Sequence, residues 1–220
     1  ISVRKSSIDE VIEGAMHFDL NSSYFSGIKE AFPQLAPAIE DIYSHRKDDT
    51  PYGHRCKDIL THTYGYMQSE WCKKEIDTFI EKHGREKIML VLYCFAHISK
   101  AAVEYNNNKI QKLIDDCRDQ GISWIATNTD GIWCRYAEDY KLEGEGKELG
   151  QWKCDHIVQK LRFKSAGAYE YIEDGVYHPV VRGLTALDKQ KSRDQWEWGD
   201  IYQGDVLGWY FTWNDGIIWR

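Results

Sequence analysis

The sequence predicts an α+β fold, and three observations predict it. Apolar residues recur at helical spacing through the first half of the chain, as in Ile39, Ile42 and Tyr43. Short β-branched and aromatic runs bounded by turn residues crowd the stretch from Ile122 to Gly183. A Pro- and Gly-marked polar turn, Asp48-Asp49-Thr50-Pro51-Tyr52-Gly53, separates two helix-compatible segments and makes them a helical hairpin.

In chain order, Gly14 to Leu20 is expected as a short strand that ends on Asp19 and Leu20, with a helix-compatible stretch from Ser22. Pro33 and Pro37 mark entry to a helix from about Ala38 to Lys47, and a second helix starts near His54 and continues past Tyr64. Further helix is expected over Trp71 to Lys82 and again from Met89 to Cys117, stopping at Gly121. Ile122 to Ala126 and Gly131 to Tyr136 form a β-hairpin around Asn128-Thr129-Asp130. After the Gly-rich charged loop Glu143 to Gly150, strands are expected at His156–Phe163, Ala168–Glu173 and Val176–Gly183. The tail from Asp188 carries Trp196, Trp198, Trp209, Trp213 and Trp219, read first as an apolar seam against a neighbouring element or partner chain and second as platforms for stacking bases.

At 220 residues, with 42% hydrophobic and 29% charged residues, the chain can bury one medium core or two small ones. No apolar run reaches the length of a membrane span, and the N-terminus has neither an initiator Met nor a signal core. A cleaved or internally started cytoplasmic chain is the expectation. The six cysteines are scattered without a C-x-x-C pair, which argues against zinc and against a disulfide framework. A net charge of −7 speaks against a general nucleic-acid coat, yet a site needs only local cations, and metal-dependent sites concentrate carboxylates.

Three segments carry chemistry. In Asp19-Leu20-Asn21-Ser22-Ser23-Tyr24, a carboxylate at a strand end can hold a hard cation, with the Leu20 carbonyl as a further oxygen. The residues alone equally allow a solvated Asp capping a helix. Thr127-Asn128-Thr129-Asp130-Gly131 holds a second acid at a hairpin tip, where Asn, Asp and Gly also satisfy an ordinary turn. On the helical hairpin, Arg46 and Lys47 extend the Ile39 stripe, while Lys57, Thr61, Tyr64, Gly65 and Gln68 share one face. Fixed Lys and Arg partners suit a triphosphate, and a solvated charged face would have the same composition. His45, His54 and His62 do not repeat on one face, and Trp133 and Trp152 are expected in the core.

In order, type and spacing these segments resemble the motifs of family B DNA polymerases over roughly residues 15 to 185. Asp19-Leu-Asn-Ser22-Ser-Tyr24-Phe resembles the motif Asp-x-x-Ser-Leu-Tyr-Pro, and Lys57-x-x-x-Thr61-x-x-Tyr64-Gly65 resembles Lys-x-x-x-Asn-Ser-x-Tyr-Gly. Ala126 to Gly131 stands where Tyr-x-Asp-Thr-Asp-Ser is usual, with Asn128 for the first Asp and Asp130 for the second. Lys160-Leu-Arg162-Phe163 is similar to the primer-gripping Lys-x-Arg-Tyr segment, and Val181-Arg182-Gly183-Leu184 to the strand after it. Glu148 to Lys153 is similar to the segment downstream of the third motif in phage members.

The resemblance implies a palm, an antiparallel sheet backed by helices, with a short helical-hairpin fingers insertion. It divides the chain into palm over 1–32, fingers over 33–70, palm again over 71–187, and a Trp-rich tail over 188–220 that serves as partial thumb or interface. It implies template-directed addition of deoxynucleotides to a primer 3′ end, with Asp19, Asp130 and Lys57 catalytic. Asp19, Asp130 and the Leu20 carbonyl would hold two Mg²⁺ ions, Mn²⁺ being able to substitute, about 3.5–4 Å apart as in two-metal sites. Lys57, Arg46 and Lys47 would take the triphosphate, Thr61 the base-pair side, and Tyr24 the ribose gate. Tyr64 and Gly65 would lie under the nascent pair. Thr129, Lys160, Arg162 and Lys164 would hold primer DNA. A short interval between the first two motifs argues against protein priming by the same means. The lack of a strand-borne Asp-x-Glu assigns any proofreading to another polypeptide or a removed segment, a second polypeptide supplying exonuclease, thumb or DNA-binding surface. Two other functions keep the same residues: a template-independent or primer-making polymerase, and a catalytically silent palm serving as scaffold.

Overall fold

The computed structural model describes residues 2–67, 78, 81–82, 85–128, 130–165, 167–181, 192–203 and 211–213. The strands are β1 (Ser2–Arg4), β2 (Ile12–Leu20), β3 (Trp124–Thr127), β4 (Gly131–Arg135), β5 (Trp152–Ser165), β6 (Ala168–Glu173), β7 (Val176–Val181) and β8 (Phe211–Trp213). The helices are α1 (Ser23–Ala31), α2 (Ala36–His45), α3 (Pro51–Met67) and α4 (Arg85–Asp119). Among the described residues the strands make one sheet in the order β7-β6-β5-β2-β4-β3-β1-β8. The fold is α+β, with antiparallel pairing of β1 with β3, β2 with β4, β3 with β4, β5 with β6 and β6 with β7; β8 runs parallel to β1.

The chain divides into two compact units: residues 1–19, 110–146 and 152–220 form the first, and residues 20–109 and 147–151 the second. In the first, β2 is central. Ala15, Met16, His17 and Phe18 are buried in succession, so both faces of this strand are covered. One face belongs to a core of Val3, Ile12, Ala15, Ile125, Ala126, Trp133, Val158, Leu161, Phe163 and Tyr171. The β6–β7 hairpin turns on Asp174 (φ 50°) and Gly175 (φ 77°). Two consecutive positive φ angles give the turn whose twist matches the strands, and Asp-Gly is the dipeptide that accepts it.

The second unit packs α1, α2, α3 and the first part of α4 around Phe25, Ile28, Ile39 and Ala102, with Leu60, Ile98 and Leu149 against them. Phe25 and Ile28 are one turn apart on α1, and Ile39 and Tyr43 are the buried pair of α2. Ile42 of the expected stripe is only half-buried. α2 and α3 form the expected hairpin, tied where the Tyr52 hydroxyl donates to Asp41 Oδ2 at 2.6 Å. α3 starts at Pro51 rather than near His54, because Pro suits the first helical position.

Other boundaries differ for physical reasons. β5 begins at Trp152, before the expected His156, since the polar Lys153-Cys154-Asp155 stretch conceals a strand that pairs with β2. α4 extends beyond Met89 and Cys117 at its two ends. β1 and β8, at three residues each, are too short to show a period. The helix expected over Trp71 to Lys82 lies almost wholly outside the described residues, as do Arg182, Gly183, Trp209 and Trp219. Trp133 and Trp152 are in the core as expected, and Trp196 is buried with Ile201 against Tyr177 and Val181.

Arg162 of β5 pins the 192–203 segment. Its Nε donates to Glu170 Oε1 at 2.9 Å, and its guanidinium lies 3.9 Å from the Tyr202 ring and 5.0 Å from that of Trp198. Glu170 is fully buried and also accepts from the Tyr177 hydroxyl and the Gly199 amide, each at 2.9 Å. Replacing Arg162 by Met leaves that carboxylate buried without its cation. The expected loss of stability is about 3–5 kcal/mol, read from chemical denaturation, with 192–203 opening to proteolysis first.

Candidate carboxylate site

The site is built by strand pairing. β2 and β4 run antiparallel with Asp19 opposite Gly131, so Asp130, one residue before β4, comes beside Asp19 at the same end of the two strands. The turn is closed by the Asn128 amide donating to the Gly131 carbonyl at 2.7 Å. Gly131 is required here. A Cβ would stand 2.7 Å from His17 Nε2 and 2.9 Å from the Phe18 carbonyl, closer than any real side chain comes. This explains why Gly stands at a position that is usually Ser in the motif this turn resembles.

Burial and the neighbouring charge of Asp130 push the Asp19 carboxyl up to about 6, and Asp155 pushes the same way. Lys153 opposes them: its ammonium is 3.1 Å from Asp19 Oδ2 and 3.0 Å from Asp155 Oδ1. Burial lowers the Lys153 pKa, but the hydrogen bonds to Asp155 and Asp19 outweigh it and leave the amine above its ordinary value. His17, two residues before Asp19, packs its ring 4.7 Å from that of Trp133. Burial drops its pKa to about 4, so it is neutral at pH 7 and adds no positive charge. His17 Nδ1 has no hydrogen-bond partner and lies 4.0 Å from Asp155 Oδ2.

Carboxylate oxygens are the donors a hard divalent cation would use. Mg²⁺ keeps several waters and uses one or two carboxylates plus phosphate oxygens, which is what a coupled Asp19–Asp130 pair offers. No group of three or more His, Cys, Asp or Glu side chains fit to hold an ion is present among the described residues. Leu20, whose carbonyl was the further expected ligand, is the last residue of β2.

The other candidates fall elsewhere. In the second unit, Tyr24 of α1 packs against the Phe25–Ile39 cluster. Arg46 follows α2 and donates to the Tyr43 carbonyl, its guanidinium 3.3 Å from the Tyr43 ring. Lys47 and Lys57 are exposed, and Thr61 on α3 donates to the Lys57 carbonyl at 2.8 Å. Tyr64 and Gly65 lie in the last turns of α3. In the first unit, Lys160 reaches Glu13 at 3.5 Å, and Lys164 donates to the carbonyls of Ile201 and Tyr202. Arg162 is engaged with Glu170, and Thr129 lies outside the described residues.

Lys153, Asp155 and His17 were not foreseen. The signal was present in Lys153-x-Asp155, a cation and an acid at the spacing that points two side chains to one face of a strand. His45, His54 and His62 do not converge; they meet Asp41, Asp49 and the Asp58 carbonyl in turn.

No family model and no curated protein matches the chain. Among solved structures it is similar to phi29 DNA polymerase with primer-template DNA, at a TM-score of 0.58 and 10% identity over 89% of this chain and 55% of that one. It is equally similar to phi29 DNA polymerase with single-stranded DNA, at 0.58 and 10% over 88% and 54%. The family B DNA polymerase of Pyrobaculum calidifontis follows at 0.49 and 13%, over 92% of this chain and 32% of that one. By its likeness to the phi29 structures the chain has a polymerase-like α+β fold, and it spans about a third to a half of the chains it matches. No helix among the described residues is long and apolar enough to cross a membrane.

Gly131→Ala is expected to cost about 1–3 kcal/mol, because the methyl group must displace either the His17 ring or the β2 backbone. Thermal melts of wild type and variant check this, and restoration by the double change with His17→Ala would assign the clash to the ring.

Proposed function

We propose that the chain is the catalytic core of a template-directed DNA polymerase, adding deoxynucleotides from dNTPs to a primer 3′-hydroxyl. One observation carries the reading: Asp19 and Asp130, distant in sequence, are electrostatically coupled at the ends of neighbouring strands in a polymerase-like fold.

In this reading Asp19, Asp130 and the Leu20 carbonyl would hold Mg²⁺ or Mn²⁺. Divalent ions bound there would supply positive charge to ease ionisation of the primer hydroxyl and to stabilise the transferring phosphoryl group. The chain's own part is positioning and charge. Lys57, Arg46 and Lys47 bind the triphosphate, and Tyr24 excludes a ribose 2′-hydroxyl. Thr61, Tyr64 and Gly65 support the base pair, while Thr129, Lys160, Arg162 and Lys164 contact the primer backbone. The palm comprises residues 1–32 and 71–187, with fingers over 33–70 and a partial thumb or interface after 188. The reading extends to a phage-type enzyme acting in the cytoplasm beside a second polypeptide that supplies exonuclease, thumb or DNA-binding surface. Native mass spectrometry of the assembled complex checks that partner.

Primer extension with Mg²⁺ on a defined template tests the activity. Asp130→Ala is expected to reduce extension to background while the thermal melt is retained. Extension at the wild-type rate by that variant would overturn the assignment, and an inactive wild-type chain would favour a scaffold. Tyr24→Ala should raise incorporation of ribonucleotides relative to deoxynucleotides, measured as a ratio of kcat/KM values. A ratio equal to wild type removes the gate.

A further inference from the structure

Lys153 closes the Glu148 to Lys153 stretch, to which the resemblance assigns no role at the site, yet its ammonium contacts the carboxylates directly. From β5 it places one ammonium between two carboxylates, 3.1 Å from Asp19 Oδ2 and 3.0 Å from Asp155 Oδ1. Asp19 and Asp155 are partly buried, with side chains 24% and 28% exposed, so water screens their charges less than at an open surface. Asp19 also feels Asp130 and Asp155 as like charges. Two acids thus share one cation with a third acting on Asp19, and His17 beside them contributes no charge.

A surface ion pair of two isolated side chains contributes little. This one differs, because the carboxylate it contacts is one a divalent ion would need. An ammonium is a compact point charge on a flexible stem, able to change partner without backbone movement. Asp155, already in contact, is the seat to which it can move.

We propose that Lys153 is a built-in counter-ion of the carboxylate site, sharing Asp19 with divalent cations and weakening their binding. In the ion-free protein it offsets part of the repulsion among Asp19, Asp130 and Asp155. When an ion binds, Lys153 shifts its weight to Asp155 and remains as a repelling charge nearby. Its role is positioning and tuning, and the inference rests on Asp19 and Asp130 being the metal ligands.

Direct binding of Mn²⁺, followed by the electron paramagnetic resonance signal of the free ion, tests this without reference to catalysis. The full chain is compared with Lys153→Met, Lys153→Arg and Asp19→Asn at pH 8, where the carboxylates are ionised, with thermal melts as a check of folding. Removing one positive charge a few ångströms from a divalent ion is expected to tighten binding about tenfold in Lys153→Met. Lys153→Arg keeps the charge and should stay within about twofold of wild type by the same reasoning. Lys153→Gln, which keeps a hydrogen-bond donor, replaces the Met variant should that one fail to fold. Binding by Lys153→Met alone, with none in wild type, would also support the proposal. Unchanged or weaker binding in Lys153→Met, with Asp19→Asn still losing the ion, overturns the role of Lys153 and leaves the metal site standing. No binding by either wild type or Lys153→Met overturns both.

Discussion

The antiparallel register of β2 on β4 is the constraint on which the site depends. It sets Asp19 opposite Gly131 and so brings Asp130 alongside, two acids more than a hundred residues apart in the chain. Side chains in a strand alternate faces, so a slip of one residue would send Asp19 to the opposite face and separate the pair. The register is held from both sides. Trp133 pairs with His17 and the two rings pack together, while the missing side chain at Gly131 makes room for the same imidazole. His17 is therefore a fitting piece of the register. Its burial keeps it neutral, so the piece that aligns the strands does not neutralise the acids they present.

Burying Asp19 and setting it beside Asp130 costs free energy, and both effects, burial first, raise its pKa. A fold tolerates such a cost where charge is needed for something else. Nearby cations reduce it, and β5 supplies one through Lys153. The same strand thus serves the core with Val158, Leu161 and Phe163 and the site with Lys153 and Asp155. Mixed duty of this kind disguises a strand in sequence.

That is why the fold was more legible than the site. The helical hairpin, the β3–β4 hairpin and β6–β7 all carry periodicity or turn chemistry that acts locally, and each lies within a few residues of its expected place. The juxtaposition of Asp19 and Asp130 was legible only through the resemblance, since neither a strand-end Asp nor a turn Asp announces a partner. β1 and β8 were hidden by length, and the start of β5 by its polar run. Lys153-x-Asp155 was a local signal, but the pairing of Lys153 with Asp19 is set by the adjacency of β5 and β2, which no local pattern encodes.

The cations of β5 also show how an acidic chain can carry a basic strand without a bare basic surface. Lys153 meets Asp19 and Asp155, Lys160 meets Glu13, Arg162 meets Glu170, and Lys164 donates to two carbonyls. A phosphate would have to compete with these partners, and the competition is unequal. Lys160 and Glu13 are 3.5 Å apart and both well exposed, so their separation costs little. Taking Lys164 would strip two carbonyls of a donor and loosen the 192–203 segment. Taking Arg162 would leave the fully buried Glu170 uncompensated, the costliest exchange of the three. A DNA backbone approaching this strand would therefore recruit Lys160 first and find Arg162 committed to the fold. Of the three β5 side chains proposed to grip a primer, Arg162 is the one the packing can least release.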